Sequence, residues 1–259
     1  MKKFTKLTAF ALALVMALGL LAGCGSSNSD NSTPSGDDTA KTKLVVATSP
    51  DFPPFESLEG GEVVGIEVDI LNKIAEKMGM ELDIQQMDFD SVIPGVQAGK
   101  FDVGMSGITV TDKRKENVDF SSVYFMAAQA IVVTADSGII GKADLEGKKV
   151  SIQTGTTAEE YCMGNGYEVL AFTANNDAAA ALTSGKVDAW VVDNEVALAM
   201  APELGLTVLD EAMTSEPYAF AFQKGSELVA PFNEALDALL ADGTVEKIFQ
   251  QYGVTYIAP

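Results

Sequence analysis

The chain has 259 residues, 47% apolar and 21% charged, the balance of a globular protein and not of a disordered one. Asp and Glu outnumber Lys and Arg by 37 to 17, and a net charge of −20 excludes nucleic-acid binding through phosphate contacts. There is no histidine and only two cysteines, Cys24 and Cys162, which excludes Ser–His–Asp and Cys–His catalysis, His-ligated zinc, CxxC redox sites and four-cysteine metal centres.

Residues 1–23 read as a secretory signal: Lys2, Lys3 and Lys6 form a basic start, and Leu7 to Leu21 is an apolar run too short for the roughly 20 residues of a membrane span. The segment ends Leu21-Ala22-Gly23-Cys24, which resembles the bacterial lipobox, where cleavage precedes a cysteine that carries a diacylglyceryl group. The stretch from Gly25 to Lys43 has no large apolar residue and reads as a flexible linker behind a lipidated Cys24, so that 24–43 form a tether. Removing the signal takes away three lysines and no acid, which moves the net charge from −20 to −23. Cys162 is then the only thiol of the folded part, and Tyr161-Cys162-Met163 reads as helix packing.

From Leu44 onward, apolar strands alternate with amphipathic helices, the pattern of an α/β protein with a largely parallel sheet. Leu44–Thr48 reads as a strand. Ile70, Leu71, Ile74, Ala75 and Met78 share a helical face that Gly79 closes. A short helix is expected after Asp90, with Pro94 in its first turn, followed by a strand over Phe101–Met105. A helix at Ala178–Thr183 and a strand at Val187–Val192 repeat this construction. Gly99-Lys-Phe-Asp-Val103 and Gly185-Lys-Val-Asp-Ala189 thus close equivalent units 86 residues apart. A strand at Tyr218–Phe222 and helices at Phe232–Ala241 and Thr244–Tyr252 complete the chain. Two similar lobes facing each other across a cleft are expected.

Ligands of open α/β sheets bind beyond the carboxyl ends of strands. Three such ends carry polar loops: Met105–Thr109 running into Arg114, Gln153–Thr157, and Asp193-Asn194. Thr156 and Glu159 fit a capping box that leaves N–H groups free to face a ligand. Arg114 is the only arginine among 17 basic residues, and two-pronged carboxylate binding is the task in which lysine substitutes poorly. As alternatives, Arg114 is a solvated charge and Asp193 an N-cap. A guanidinium, free N–H groups and a carboxylate together suit a zwitterion.

The chain resembles the polar amino-acid members of the family 3 bacterial extracellular solute-binding proteins, the receptors of ABC importers. The matching stretches, in order, are Ala47–Glu56, Gly65–Asp69, Ser106–Arg114, Asp119–Ser121 with Tyr124, Asp144–Lys148, Gly155–Thr157, Gly185–Asp188, Asp193, Ala221–Ser226 and Asp242–Thr244. The resemblance implies a periplasmic-binding-protein fold whose two lobes, 44–125 plus 219–259 and 130–214, are joined by crossing strands near Tyr124–Gln129 and Ser215–Tyr218. It implies that Arg114, with the N–H groups of Thr109 and Thr157, binds the ligand carboxylate. Asp193, the Gly107 carbonyl and the Thr109 hydroxyl would take the ammonium. Phe52 and Phe89 would clamp the side chain, with Ser49, Gln129 and Gln153 near its far end. Phe52, Phe89 and Tyr252 stand where tyrosine, tryptophan and tryptophan are frequent in the family.

The expectation is a non-catalytic, lipid-anchored monomer outside the cytoplasmic membrane, which needs no cofactor or metal and delivers a free polar amino acid to permease subunits. One alternative is a cyclohexadienyl-type dehydratase, with Glu56 or Asp51 as the acid over the substrate ring. The other is the sensing module of a signalling receptor, which the end of the chain at Pro259 disfavours.

Overall fold

The computed structural model describes residues 42–259, so the expected signal segment, Cys24 and nearly all of the linker lie outside the described residues. The first half runs β1 (Lys43–Thr48), β2 (Asp51–Phe52), β3 (Glu56–Glu59), β4 (Glu62–Val64), α1 (Ile66–Met78), β5 (Glu81–Gln86), α2 (Phe89–Gln97), β6 (Val103–Gly104), α3 (Asp112–Lys115), β7 (Val118–Phe120) and β8 (Phe125–Ala127). Next come β9 (Gln129–Val133), β10 (Lys149–Gln153), α4 (Thr157–Gly164), β11 (Glu168–Phe172), α5 (Asn175–Thr183), β12 (Ala189–Asp193), α6 (Asn194–Met200) and β13 (Thr207–Val208). The last elements are β14 (Glu216–Tyr218), β15 (Ala221–Gln223), α7 (Val229–Ala241) and α8 (Thr244–Gln251).

Two lobes result, each built on a five-stranded sheet, with orders β5-β1-β6-β15-β7 and β11-β10-β12-β9-β13. In each, a βαβαβ unit supplies three parallel strands, a fourth (β15 or β9) runs antiparallel to them, and the edge strand (β7 or β13) pairs antiparallel with that fourth. The antiparallel ribbon β8–β14, with Phe125 opposite Tyr218 and Ala127 opposite Glu216, carries the chain between the sheets. On α1 the expected face is buried: Ile70, Leu71 and Ile74 are fully covered, and each contributes about 1.5–3 kcal/mol by leaving water.

The five-residue echo has a structural meaning. The Asp102 N–H donates to the Val45 carbonyl at 2.8 Å, and its Oδ2 accepts the Val45 N–H at 2.8 Å. Asp188 does the same to Lys149, at 2.7 and 2.8 Å. Each aspartate thus seats the central strand of its sheet (β6 or β12) against the start of its neighbour (β1 or β10), satisfying backbone groups at the rim.

Three sequence expectations need correction. The second helix begins at Phe89, so Pro94 lies in its second turn and the Asp90 carbonyl loses its helical partner. The stretch Tyr218–Phe222 is no single strand. Tyr218 ends β14 and Ala221 begins β15, because the chain leaves the ribbon for the first sheet and its hydrogen-bond partners change at Ala219 and Phe220. The strands expected at Phe101–Met105 and Val187–Val192 are shorter or shifted, at Val103–Gly104 and Ala189–Asp193, since Asp102 and Asp188 are used as rim clamps.

Helix α1 starts against the backbone of the preceding segment: the Ile66 and Glu67 N–H groups donate to the carbonyls of Pro54 and Phe55. Gly65 makes this approach possible. Its φ is 140°, and a Cβ there would stand 2.2 Å from the Phe55 carbonyl oxygen. Gly65→Ala is therefore expected to lower stability by about 2–4 kcal/mol in denaturant titration; a change below 1 kcal/mol would show that the segment yields freely.

Candidate functional site

Three strand ends converge between the sheets. Beyond β6 the chain bends through Ser106 and Gly107 to Thr109, which bridges to Tyr218 while Ile108 and Val110 make the flanking backbone bonds. In that register the N–H and C=O of Thr109 face away from Tyr218. Gln153 ends β10, Thr157 opens α4, and Asp193 ends β12 opposite Gln129 of β9. These ends, with Phe52 of β2 and Phe89 of α2, line a cleft: Phe52, Phe89, Ser106, Gly107, Thr109, Arg114, Gln153, Thr156, Thr157 and Asp193. The enclosed space is only about 10 Å³, so admitting an amino acid requires the walls to part. The hollow of about 580 Å³ lined by Pro50, Leu58, Asn176 and Leu204 lies outside this cleft and holds none of the expected ligand residues.

Arg114 is no solvated charge. Thr111 caps its short helix by accepting the Arg114 N–H. The guanidinium donates to the Thr109 carbonyl at 2.9 Å and, from Nη2, to the Gly155 carbonyl at 3.1 Å, and it sits 5.6 Å from the centre of the Phe89 ring. Burial lowers its pKa, opposed by the charges of Glu160, Glu216 and Asp193. Asp193 caps no helix with its side chain, although it precedes α6. Its Oδ1 accepts from Gln129 Nε2 at 2.8 Å. Burial, then Glu216, pushes this carboxyl well above the usual range. The Tyr218 hydroxyl is near enough to lower it but makes no hydrogen bond of ordinary geometry. The cleft thus sets a half-buried cation and a buried acid at its border, each strained by desolvation and each improved by an opposite charge.

The structure gathers eight of the ten expected residues in the lining. Gln129 and Ser49 stand behind it: Gln129 holds Asp193 and Thr157, and Ser49 donates to Asp51. The Gln129 Oε1 is buried without a partner. Gly107, at φ 52°, makes room for Phe52, whose ring a Cβ there would meet at 2.6 Å. Thr156 accepts the Glu159 N–H as a cap, but Glu159 returns its bond to Gly155 and not to Thr156, so the Gly155 N–H is engaged and not free. Neither carboxyl suggested as a dehydratase acid lines the cleft. Asp51 is held by Ser49, Gln153 and Asn175, and Glu56 is fully buried behind Ser106. Cys162 packs inside α4, and burial pushes its thiol up to about 12, which makes it inert.

Sequence reasoning missed the contacts that cross the cleft. Asp51 of the first lobe accepts from Gln153 Nε2 at 3.2 Å and from the Asn175 N–H, at the start of α5, at 2.7 Å. Lys113 pairs with Glu160, and Arg114 reaches Gly155. Asp51 sits in Pro50-Asp51-Phe52, where only the fold brings it to residues over 100 positions away. Among the described residues no helix is long and apolar enough to cross a membrane, and no group of acidic or thiol side chains could hold a metal ion.

Residues 44–255 match the model of the bacterial extracellular solute-binding proteins, family 3. An arginine-binding extracellular protein of Bacillus subtilis is 36% identical over 240 residues, spanning 90% of this chain and 92% of the relative. A glutamine-binding protein of an ABC transporter from the same organism is 33% identical, spanning 95% and 97%. The structure superimposes on that of an ancestral arginine-binding protein bound to glutamine, with a TM-score of 0.78 and 41% identity, over 82% of this chain and 98% of the other.

Asp51→Ala removes the acceptor of two bonds across the cleft. It should weaken that closure by about 2 kcal/mol, roughly 30-fold in amide hydrogen exchange at Asn175. Unchanged protection of that amide would show that Asp51 does not hold the lobes together.

Proposed function

The chain belongs to the bacterial extracellular solute-binding proteins of family 3, with the two-lobed fold of polar amino-acid receptors of ABC transporters, and from that premise we propose how it holds its ligand. Arg114 binds the α-carboxylate with two prongs, exchanging its bonds to the Thr109 and Gly155 carbonyls for charged ones, and the N–H groups of Thr109 and Thr157 assist. Asp193 takes the α-ammonium with the Gly107 carbonyl and the Thr109 hydroxyl. Phe52 and Phe89 clamp the side chain, and Ser49, Gln129 and Gln153 shape its far end. The observation that carries this reading is that Arg114, in α3 of one lobe, and Asp193, at the end of β12 in the other, border the same cleft. Relatives named for arginine and for glutamine fit a common grip on the backbone groups and a variable side-chain end.

The lobes, 44–125 plus 219–259 and 130–214, turn about the β8–β14 ribbon. One zwitterion bound from both sides favours the closed state, which the permease then recognises. Cys24 anchors the protein by its lipid outside the cytoplasmic membrane, and the polar linker lets the lobes face the transporter. The binding event involves no covalent step, and no cofactor takes part in it.

A thermal-shift screen against the common amino acids should find a polar one that raises the melting temperature, because only the native state binds it. For that ligand, Arg114→Lys and Asp193→Asn should each weaken binding about 100-fold or more, since lysine keeps the charge but loses the two-pronged bond and asparagine leaves the ammonium without a counter-charge. Dissociation constants close to wild type would remove these residues from the site. Cys24→Ala should block cleavage by the lipoprotein signal peptidase; a native N-terminus found elsewhere by mass spectrometry and unmodified would refute the anchor.

A further inference from the structure

Behind the loop Ser106–Gly107 lie two carboxyl groups that the ligand site does not use. Glu56 of β3 and Glu67 in the first turn of α1 are both fully buried. Among the described residues neither forms an ion pair. Their partners are neutral donors. The Ser106 hydroxyl donates to Glu56 Oε1 at 2.8 Å, the Gly107 N–H donates to Glu67 Oε2 at 2.9 Å, and the Tyr124 hydroxyl donates to Glu67 Oε1. Ser106 also accepts the Ser49 N–H at 3.2 Å, so the network touches both sides of the ligand loop.

We propose that Glu67 is the positioning residue of the ligand loop, holding Gly107 through its N–H and the start of the β8 crossing strand through Tyr124. The inference rests on the reading of Gly107 and Thr109 as ligand contacts. With its N–H fixed inward on Glu67, Gly107 keeps its carbonyl on a defined course, and the 52° φ and the packing of Phe52 against it are held at once. A charged acceptor does this more firmly than a neutral one.

Glu56 is the condition for that role. Two ionised carboxylates cannot stay buried side by side without a cation. Both oxygens of Glu67 accept, which is the bonding of a carboxylate, whereas among the described residues Glu56 Oε2 has no hydrogen-bond partner. Burial, then the charge of Glu67, pushes the Glu56 carboxyl well above its usual range, and Asp51 pushes the same way; Tyr124 is the other titratable group facing the pair. Glu56 therefore carries the proton. Its contribution to stability is full below the ordinary carboxylate value and is lost as pH rises through the raised one. Above that point a second charge repels Glu67 and loosens the loop.

The test measures amino-acid affinity from pH 6 to 10 and amide exchange at Gly107 in the wild type, Glu67→Gln and Glu56→Gln. Glu67→Gln should bind roughly tenfold more weakly at pH 7 and exchange the Gly107 amide faster, as a charge-assisted bond becomes neutral. Glu56→Gln, which mimics the protonated acid, should bind within about threefold of wild type. It should also lack the alkaline fall in affinity that the wild type shows beyond the ligand's own titration. Affinity of Glu67→Gln within twofold of wild type, or an alkaline fall kept in Glu56→Gln, would overturn the proposal. If Glu67→Gln does not fold, the Glu56→Gln profile decides alone. A wild type that binds no amino acid would refute the functional reading, while Gly107 exchange would still judge the clamp.

Discussion

A single guanidinium bridges the cleft. Arg114 stands in a short helix of one lobe, yet it donates to the Thr109 carbonyl beside it and to the Gly155 carbonyl of the facing loop. A half-buried cation hydrogen-bonded to neutral carbonyls is under-compensated, because its desolvation is costly and each such bond returns little. In the proposed grip, that imbalance is what a ligand carboxylate corrects. Asp193 presents the mirror image, a buried acid that accepts from the Gln129 amide and whose neighbour Glu216 is another acid. Among the described residues neither group forms an ion pair.

Closure and binding are therefore separable in energy. Asp51, which is outside the lining, joins the lobes through Gln153 at the edge of the cleft and through the Asn175 N–H, so part of the contact between the lobes owes nothing to the ligand. The exposed Lys113–Glu160 pair adds little, as solvent-screened ion pairs do. Contacts that hold the lobes together without ligand raise the closed population, and the ligand's own contribution then comes from the difference that Arg114 and Asp193 feel between the states.

Much of this was legible in the sequence, for identifiable reasons. A lone arginine among lysines pointed to a residue that borders the cleft, and strand ends followed by polar loops marked where residues would gather. The Gly-Lys-x-Asp echo told that two units are built alike because its aspartate does the same backbone work in each lobe. Local offsets were less legible. Pro94 reads as a first-turn proline, but Phe89 is drawn into the helix by packing beside the cleft, which moves the start forward. Glu159 reaches one residue further than a capping box requires. Asp51, Glu56 and Glu67 were beyond reach: each owes its role to partners 40 or more positions away, and nothing in a run of residues announces a buried acid pair.

The central claim is that one zwitterion takes both unpaired charges. It is tested most directly by measuring, for wild type, Arg114→Lys and Asp193→Asn, the affinity of the best amino acid, of its α-amide and of its N-acetyl derivative. The amide lacks the carboxylate, so Arg114→Lys should cost it little further affinity while Asp193→Asn still weakens it; the N-acetyl derivative should show the reverse. Equal losses for all three ligands in both variants would mean that neither residue touches the group assigned to it.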